Sequence, residues 1–271
     1  MVKETQSKKE NVVSVIIPAF RQEGKIVRDM KRIEQVLNQL RYGFEMIIVV
    51  DGMVDDTFER AKKLTSGKVK VIGYETNRGK GYAIRYGMVR SKGNIVGFID
   101  SGMDLNPNGL SMLLEHFEWY NADIIVGSKR HPVSKVNYPL ERKIISYISQ
   151  IFIRLLFGLN IRDTQVGMKF FRREVLEKVL PRLLVKEYAF DIEILAVAHA
   201  LGFKKIYEAP IELGWSQGTG ITGGNLWRVL LLTLKDALAI FYRLKILRYY
   251  SNTNKRRWKF DPELNLRVNV G

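Results

Sequence analysis

Two carboxylates near the end of one apolar run are the first residues in this 271-residue chain that can do chemistry. In Phe98-Ile99-Asp100-Ser101-Gly102-Met103-Asp104 the run delivers Asp100 and Asp104, oxygen ligands suited to a hard cation, Mg2+ or Mn2+, bridging two phosphates. Such an ion would neutralise charge building on a departing diphosphate. Upstream, Asn77-Arg78-Gly79-Lys80-Gly81 has glycines that let the backbone turn into a helix, and Lys80 can add a point charge for a phosphate. The spacing is not that of a Walker loop. Each segment alone also fits an ordinary turn built from Gly, Asp and Ser. Cysteine is absent, and His116, His131 and His199 are scattered. Disulfides and thiolate zinc sites are therefore excluded.

These residues need a frame to position them. Val12–Pro18, Met46–Asp51, Val69–Tyr74, Ile95–Asp100 and Ile124–Gly127 are short apolar runs. Ile26–Leu40, Asp55–Leu64, Gly81–Arg90 and Asn108–Tyr120 between them read as helices. The alternation predicts an α/β fold, a mostly parallel sheet with helices on both faces. Ligands of such sheets sit beyond the carboxyl ends of the strands. Pro18, Ala19, Phe20, Asp51, Asn77, Lys80 and Asp100 all fall there, on one rim. Further on, Ile144–Leu159 is apolar, Met168–Phe171 and Lys204–Leu213 read as strands, and Arg173–Leu180 and Phe190–Leu201 as helices. Leu226–Tyr249 reads as a long helix, and Ser251–Gly271 as a polar, basic tail with weak structure signals.

The formal charge of +16 is uneven. Residues 1–125 carry 19 Lys/Arg against 16 Asp/Glu, and residues 126–271 carry 25 against 12. The second half therefore expects an anionic partner, or presents a solvated basic surface. Nucleic acid fits poorly, because no aromatic platform or helix-turn-helix motif accompanies the charge. No signal peptide is apparent, and Leu226–Tyr250 is too interrupted by charge to span a membrane. Leu226, Leu230, Leu234 and Leu238 recur at helical spacing instead, as in a helix lying on a bilayer or packed on its own domain. The expectation is a cytoplasmic protein, peripheral at the inner face of the membrane. It would dock reversibly on lipid, as a homo-oligomer, or on a membrane partner protein.

In combination the motifs resemble the family-two GT-A glycosyltransferases. The segments Val15–Phe20, Val49-Val50-Asp51-Gly52-x-x-Asp55-x-Thr57, Asn77–Gly87 and Phe98–Asp104 stand in that family's order. Arg162-Asp163-Thr164-Gln165-Val166-Gly167-Met168-Lys169-Phe170-Phe171, Ala189–Leu195 and Glu212-Leu213-Gly214-Trp215 are similar to motifs of the dolichyl-phosphate hexose synthases, glucose-transferring ones especially. The resemblance spans residues 12–245. It implies transfer of a hexose from a nucleotide sugar, UDP-glucose or GDP-mannose, to a polyprenyl phosphate with inversion. It implies that Pro18, Ala19, Phe20, Gln22, Asp51, Asn77, Lys80 and Asp100 hold the donor. Asp100 and Asp104 would hold the metal, and Lys129, Arg130 and Arg142 the acceptor phosphate. The corresponding organisation is a polar arm over 1–10, the GT-A domain over 11–222, an amphipathic helix over 223–250 and a basic tail over 251–271. Three positions depart from the pattern: Gly102 replaces the second aspartate of a D-x-D pair, Met53 a serine, and Gly220 a lysine. A non-lipid acceptor, or an inactive nucleotide-sugar-binding homologue, are the alternatives.

Overall fold

The structure, a computed structural model, describes residues 11–134, 140–187, 189–213, 226–252 and 257–270. The first half alternates as the apolar runs require: β1 Val12–Ala19, α1 Ile26–Asn38, β2 Gly43–Asp51, α2 Thr57–Lys62, β3 Val69–Tyr74, α3 Lys80–Met88, β4 Ile95–Ile99, α4 Gly109–Trp119 and β5 Ile124–Ser128. The second half adds α5 Leu140–Phe157, β6 Met168–Arg172, α6 Arg173–Val179, α7 Phe190–Ala200, β7 Ile206–Pro210 and α8 Leu226–Phe241. A hairpin, β8 Arg257–Asp261 and β9 Leu266–Val270, follows.

Seven strands form one sheet in the order β3-β2-β1-β4-β6-β5-β7. Only β6 runs against its neighbours β4 and β5, and the other pairings are parallel. β1 and β2 are apolar on both faces because helices cover both. Val15, Ile17 and Ile48 point into a core with Met30 and Ile33 of α1 and Leu110 and Leu114 of α4. Ile16, Ile47 and Val49 point the other way, towards Ile84 of α3 and Ile194 of α7. On α1, Ile26, Met30, Ile33 and Leu37 make the buried stripe of a surface helix. By contrast α7 is buried all round, including Asp191 and Glu193, so those two acids must be satisfied internally.

The C-terminal helix differs in phase from the leucine stripe. Leu230, Thr233, Ala237 and Ile240 of α8 are buried, and Ala237 and Ile240 pack in one core with Ile153 and Phe157 of α5. Leu238 lies on the exposed side with Leu231 and Leu232. The tail has more structure than its composition suggests. Its apolar residues Trp258, Phe260, Leu266 and Val268 alternate with polar ones, a period of two that suits a two-stranded ribbon. Tyr249 Oη donates to the Asn269 carbonyl at 2.6 Å, and Leu264 in the turn is buried.

Candidate active site

The rim at the carboxyl ends of β1, β2 and β4 encloses a cavity of about 350 Å³. Its walls include Pro18, Ala19, Phe20, Gln22, Asp51, Asn77, Lys80 and Asp100, every donor-site residue expected from sequence. Gly79, Ser101, Gly102 and Glu187 complete it. Gln22 donates its backbone N–H to Thr57 Oγ1 at 2.8 Å, while its buried side-chain oxygen has no donor among the described residues. A buried acceptor left open on a cavity wall suits an N–H of a ligand.

Asp51 is an organiser rather than a free acid. It is 3% exposed. Its carboxylate accepts from the Arg78 N–H at 2.7 Å, the Tyr74 hydroxyl at 2.9 Å, the Gly79 N–H at 3.0 Å and Asn77 Nδ2 at 3.1 Å. The loop carrying Lys80 is thereby wrapped around one carboxylate, through charge-assisted bonds. Burial, with Asp51 alongside, pushes the Tyr74 phenol well above its usual range. Gly79 makes the turn at φ +96°, and a Cβ there would lie 2.6 Å from the Lys186 carbonyl. That carbonyl accepts the Tyr82 N–H at 3.1 Å. The segment bearing it is pinned by Glu193, which accepts from the Leu184 and Val185 N–H groups and from Tyr250 Oη at 2.6 Å. Burial raises the Glu193 carboxyl above the usual range.

From the first turn of α3, Lys80 Nζ lies 2.8 and 3.0 Å from the two oxygens of Asp100. Asp191 stands 3.7 Å behind it and is itself paired with Lys169, which is fully buried. Burial works to lower the pKa of Lys80, but Asp100 and Asp191 outweigh it and hold it above the ordinary lysine value. For Lys169 burial wins and the direction is downward. Asp100 is held from the far side: its N–H donates to the Gly167 carbonyl at 2.9 Å, and a Cβ on Gly167 would fall 1.9 Å from Asp100 Oδ2. Lys169, Asp191, Gly167 and Glu187 were absent from the site expected from sequence. A lysine inside an apolar strand run and an aspartate in an apolar helix were the available signals.

The remaining expected residues lie elsewhere. Asp104 does not line the cavity, although its carboxylate is 3.6 Å from where a Cβ on Gly102 would stand. The Lys129 N–H donates to Asp163 at 3.3 Å. Arg130 enters a separate cleft of about 990 Å³ between α5 and the edge strand β7. There it donates to Ser146 Oγ at 2.6 Å, and burial lowers its pKa. The Arg142 side chain and the motif from Gly214 to Gly220 lie outside the described residues.

The sheet order and the cavity beyond its strand ends are those of a GT-A fold. Residues 14–180 match the family described as Glycosyl transferase family 2, and the chain belongs to that family. Among curated proteins it is 32% identical over 262 residues to the human dolichyl-phosphate beta-glucosyltransferase, covering 87% of this chain and 76% of that one. The Dictyostelium discoideum dolichyl-phosphate beta-glucosyltransferase is 28% identical over 223 residues, covering 77% and 67%. Among solved structures, glucosyl-3-phosphoglycerate synthase from Mycobacterium tuberculosis shares the fold, with a TM-score of 0.63 at 19% identity over 96% of this chain and 87% of that one. That enzyme was crystallised with UDP and Mn2+ and, in another crystal, with UDP and Mg2+.

Proposed function

We propose that this chain transfers glucose from UDP-glucose to a polyprenyl phosphate, with inversion at the anomeric carbon. The observation that carries the reading is the rim cavity, where a loop organised by Asp51 sets Lys80 on Asp100. The curated relatives named above support the acceptor class. In the reaction an acceptor phosphate oxygen forms the new bond to the anomeric carbon. The bond from that carbon to the donor's β-phosphate oxygen breaks, and its electron pair leaves with UDP. The acceptor oxygen is already anionic near neutral pH, so no general base is needed. What the protein must supply is fixed positive charge and orientation. Lys80 meets the charge growing on UDP and keeps its proton throughout. Lys129, Arg130 and Arg142 are assigned to the acceptor phosphate.

The expected Mg2+ or Mn2+ ion at Asp100 and Asp104 meets a donor set that does not suit it. Gly102 removes one carboxylate, and Asp100 already carries an ammonium, bonded to Oδ2 at 3.0 Å and 2.8 Å from an Oδ1 that has no hydrogen-bond donor among the described residues. Among the described residues no group of three or more His, Cys, Asp or Glu could hold a metal.

Membrane contact is assigned to the flank made by α5 and α8. Among the described residues no helix is long and apolar enough to cross a membrane. Yet Tyr147, Ile148, Ile151 and Leu155 are exposed along one stripe of α5, and Leu231, Leu232 and Leu238 are exposed on α8. Apolar side chains outward on helices, in a half of the chain rich in Lys and Arg, suit peripheral attachment to an anionic cytoplasmic leaflet.

The direct test supplies UDP-glucose labelled in the sugar and a polyprenyl phosphate in detergent micelles. Label is expected in the lipid extract. Label appearing only on soluble acceptors would remove the lipid assignment, and no transfer from any common donor would remove the enzyme.

A further inference from the structure

We infer that Lys80 is a resident counter-ion for the donor diphosphate, and that this chain takes its nucleotide sugar without a divalent cation. The inference rests on the reading of the rim cavity as a nucleotide-sugar site. Four observations carry it. Lys80 Nζ lies across both oxygens of Asp100, at 2.8 and 3.0 Å, which is where a cation bridging this acid and a diphosphate would have to stand. Asp100 is seated against Gly167, whose missing Cβ leaves the space that Oδ2 fills and whose carbonyl takes the Asp100 N–H. The ammonium is held from below as well. Asp191 is 3.7 Å away and bonded in turn to the buried Lys169. Acid and base alternate through Asp100, Lys80, Asp191 and Lys169, so the group is neutral as a whole and Lys80 is preorganised while still 26% exposed to the cavity. Finally, Gly102 removes the carboxylate that would let an ion bind beside Lys80 rather than against it.

Charge placed in advance and held by neighbours needs no reorganisation when UDP departs. A divalent ion on Asp100 would instead share a single carboxylate with a fixed ammonium, a repulsive arrangement in a partly dry cavity. Lys80 also satisfies a geometric demand that a lysine at the exposed end of a loop would not, because Gly79 and the Asp51 bonds fix where its helix begins. The ion's task is thus carried by two positions read together, Lys80 and Gly102.

Calorimetric titration of UDP into the full chain, once in EDTA and once in Mn2+, tests this without relying on turnover. The expected affinities agree within about threefold. Lys80→Met should weaken binding in EDTA by about tenfold or more, and Lys80→Arg should restore part of it. Gly102→Asp should make binding rise with Mn2+, since the position has room for a side chain. Wild-type binding that requires Mn2+ overturns the inference whether or not the Lys80 variants fold. Folded Lys80→Met binding UDP in EDTA as the wild type does overturns it too. If UDP binds under neither condition, the nucleotide-sugar reading itself falls.

Discussion

On the donor rim, one buried carboxylate, Asp51, holds four donors and draws three successive residues of a loop around it. On the flank of α5 and α8, Ile148, Leu155, Leu231 and Leu238 face outward at 49%, 79%, 65% and 50% exposure. The first region is specified by contacts internal to the chain. The second leaves apolar side chains uncovered, as the proposed bilayer contact requires. The charge follows the same division, nearly balanced over residues 1–125 and strongly basic over 126–271. A site for a small, highly charged ligand is built by preorganisation, whereas a surface for a large apolar partner is built by leaving side chains uncovered.

The sharpest way to break this contrast is Asp51→Ala. Removing a buried charge that satisfies two backbone N–H groups should cost roughly 3 kcal/mol, read as a lower denaturation midpoint, and should abolish detectable UDP binding. A stable, UDP-binding variant would show that the loop is not organised from Asp51. Gly167→Ala comes next. Its Cβ would collide with Asp100, so UDP affinity should fall on the order of tenfold, about 1.4 kcal/mol, with less change in thermal stability than Asp51→Ala produces. Equal affinity would mean that Asp100 is free to move.

On the other flank, Leu155→Glu with Leu231→Glu should reduce sedimentation with anionic vesicles several-fold and leave UDP titration unchanged. Loss of both together would deny the separation of the two regions. The smallest effect concerns pH. Burial, with Lys204 and Lys245 nearby, holds the His199 pKa below its usual value, and burial does the same for His131. The unfolded chain then binds more protons than the folded one below about pH 6.5. Stability should fall as pH drops through that range, and His199→Gln should flatten the slope in acid-denaturation curves.

The alternation of β1 to β5 with their helices was legible because the strands are mostly apolar and α1 and α4 carry a one-sided buried stripe. That these residues meet at one rim was legible for the same reason, since strand ends fix where Pro18, Asp51, Lys80 and Asp100 emerge. Beyond that, local signals gave less. Asp51 appeared as a ligand-facing acid, and only tertiary contacts show its carboxylate taken up by Tyr74, Asn77, Arg78 and Gly79. Lys169 and Asp191 are separated by 22 residues, and pairing over that distance has no periodicity to reveal it. Gly167 stands in the Arg162–Phe171 motif with no chemistry of its own, and its role depends on an acid 67 positions earlier. The phase of α8 also escaped, because apolar residues occupy both its sides and only its packing on α5 chooses between them.

The hairpin β8–β9 has a temporal consequence. Glu263 in its turn is bonded to Arg78, 185 residues earlier, and to Tyr82, while the Glu263 carbonyl accepts from Arg90. Chains are made from the amino end, and early segments fold as they emerge. During synthesis β1 to β4 can pair first, and β5 can join them once β6 has emerged between β4 and β5, all well before residue 263 leaves the ribosome. The loop that carries Lys80 therefore waits for its last brace until this distant turn has been made. A nascent chain would hold a formed sheet and an unfinished donor rim, and the two would join late, as the carboxyl-terminal ribbon closes over α3.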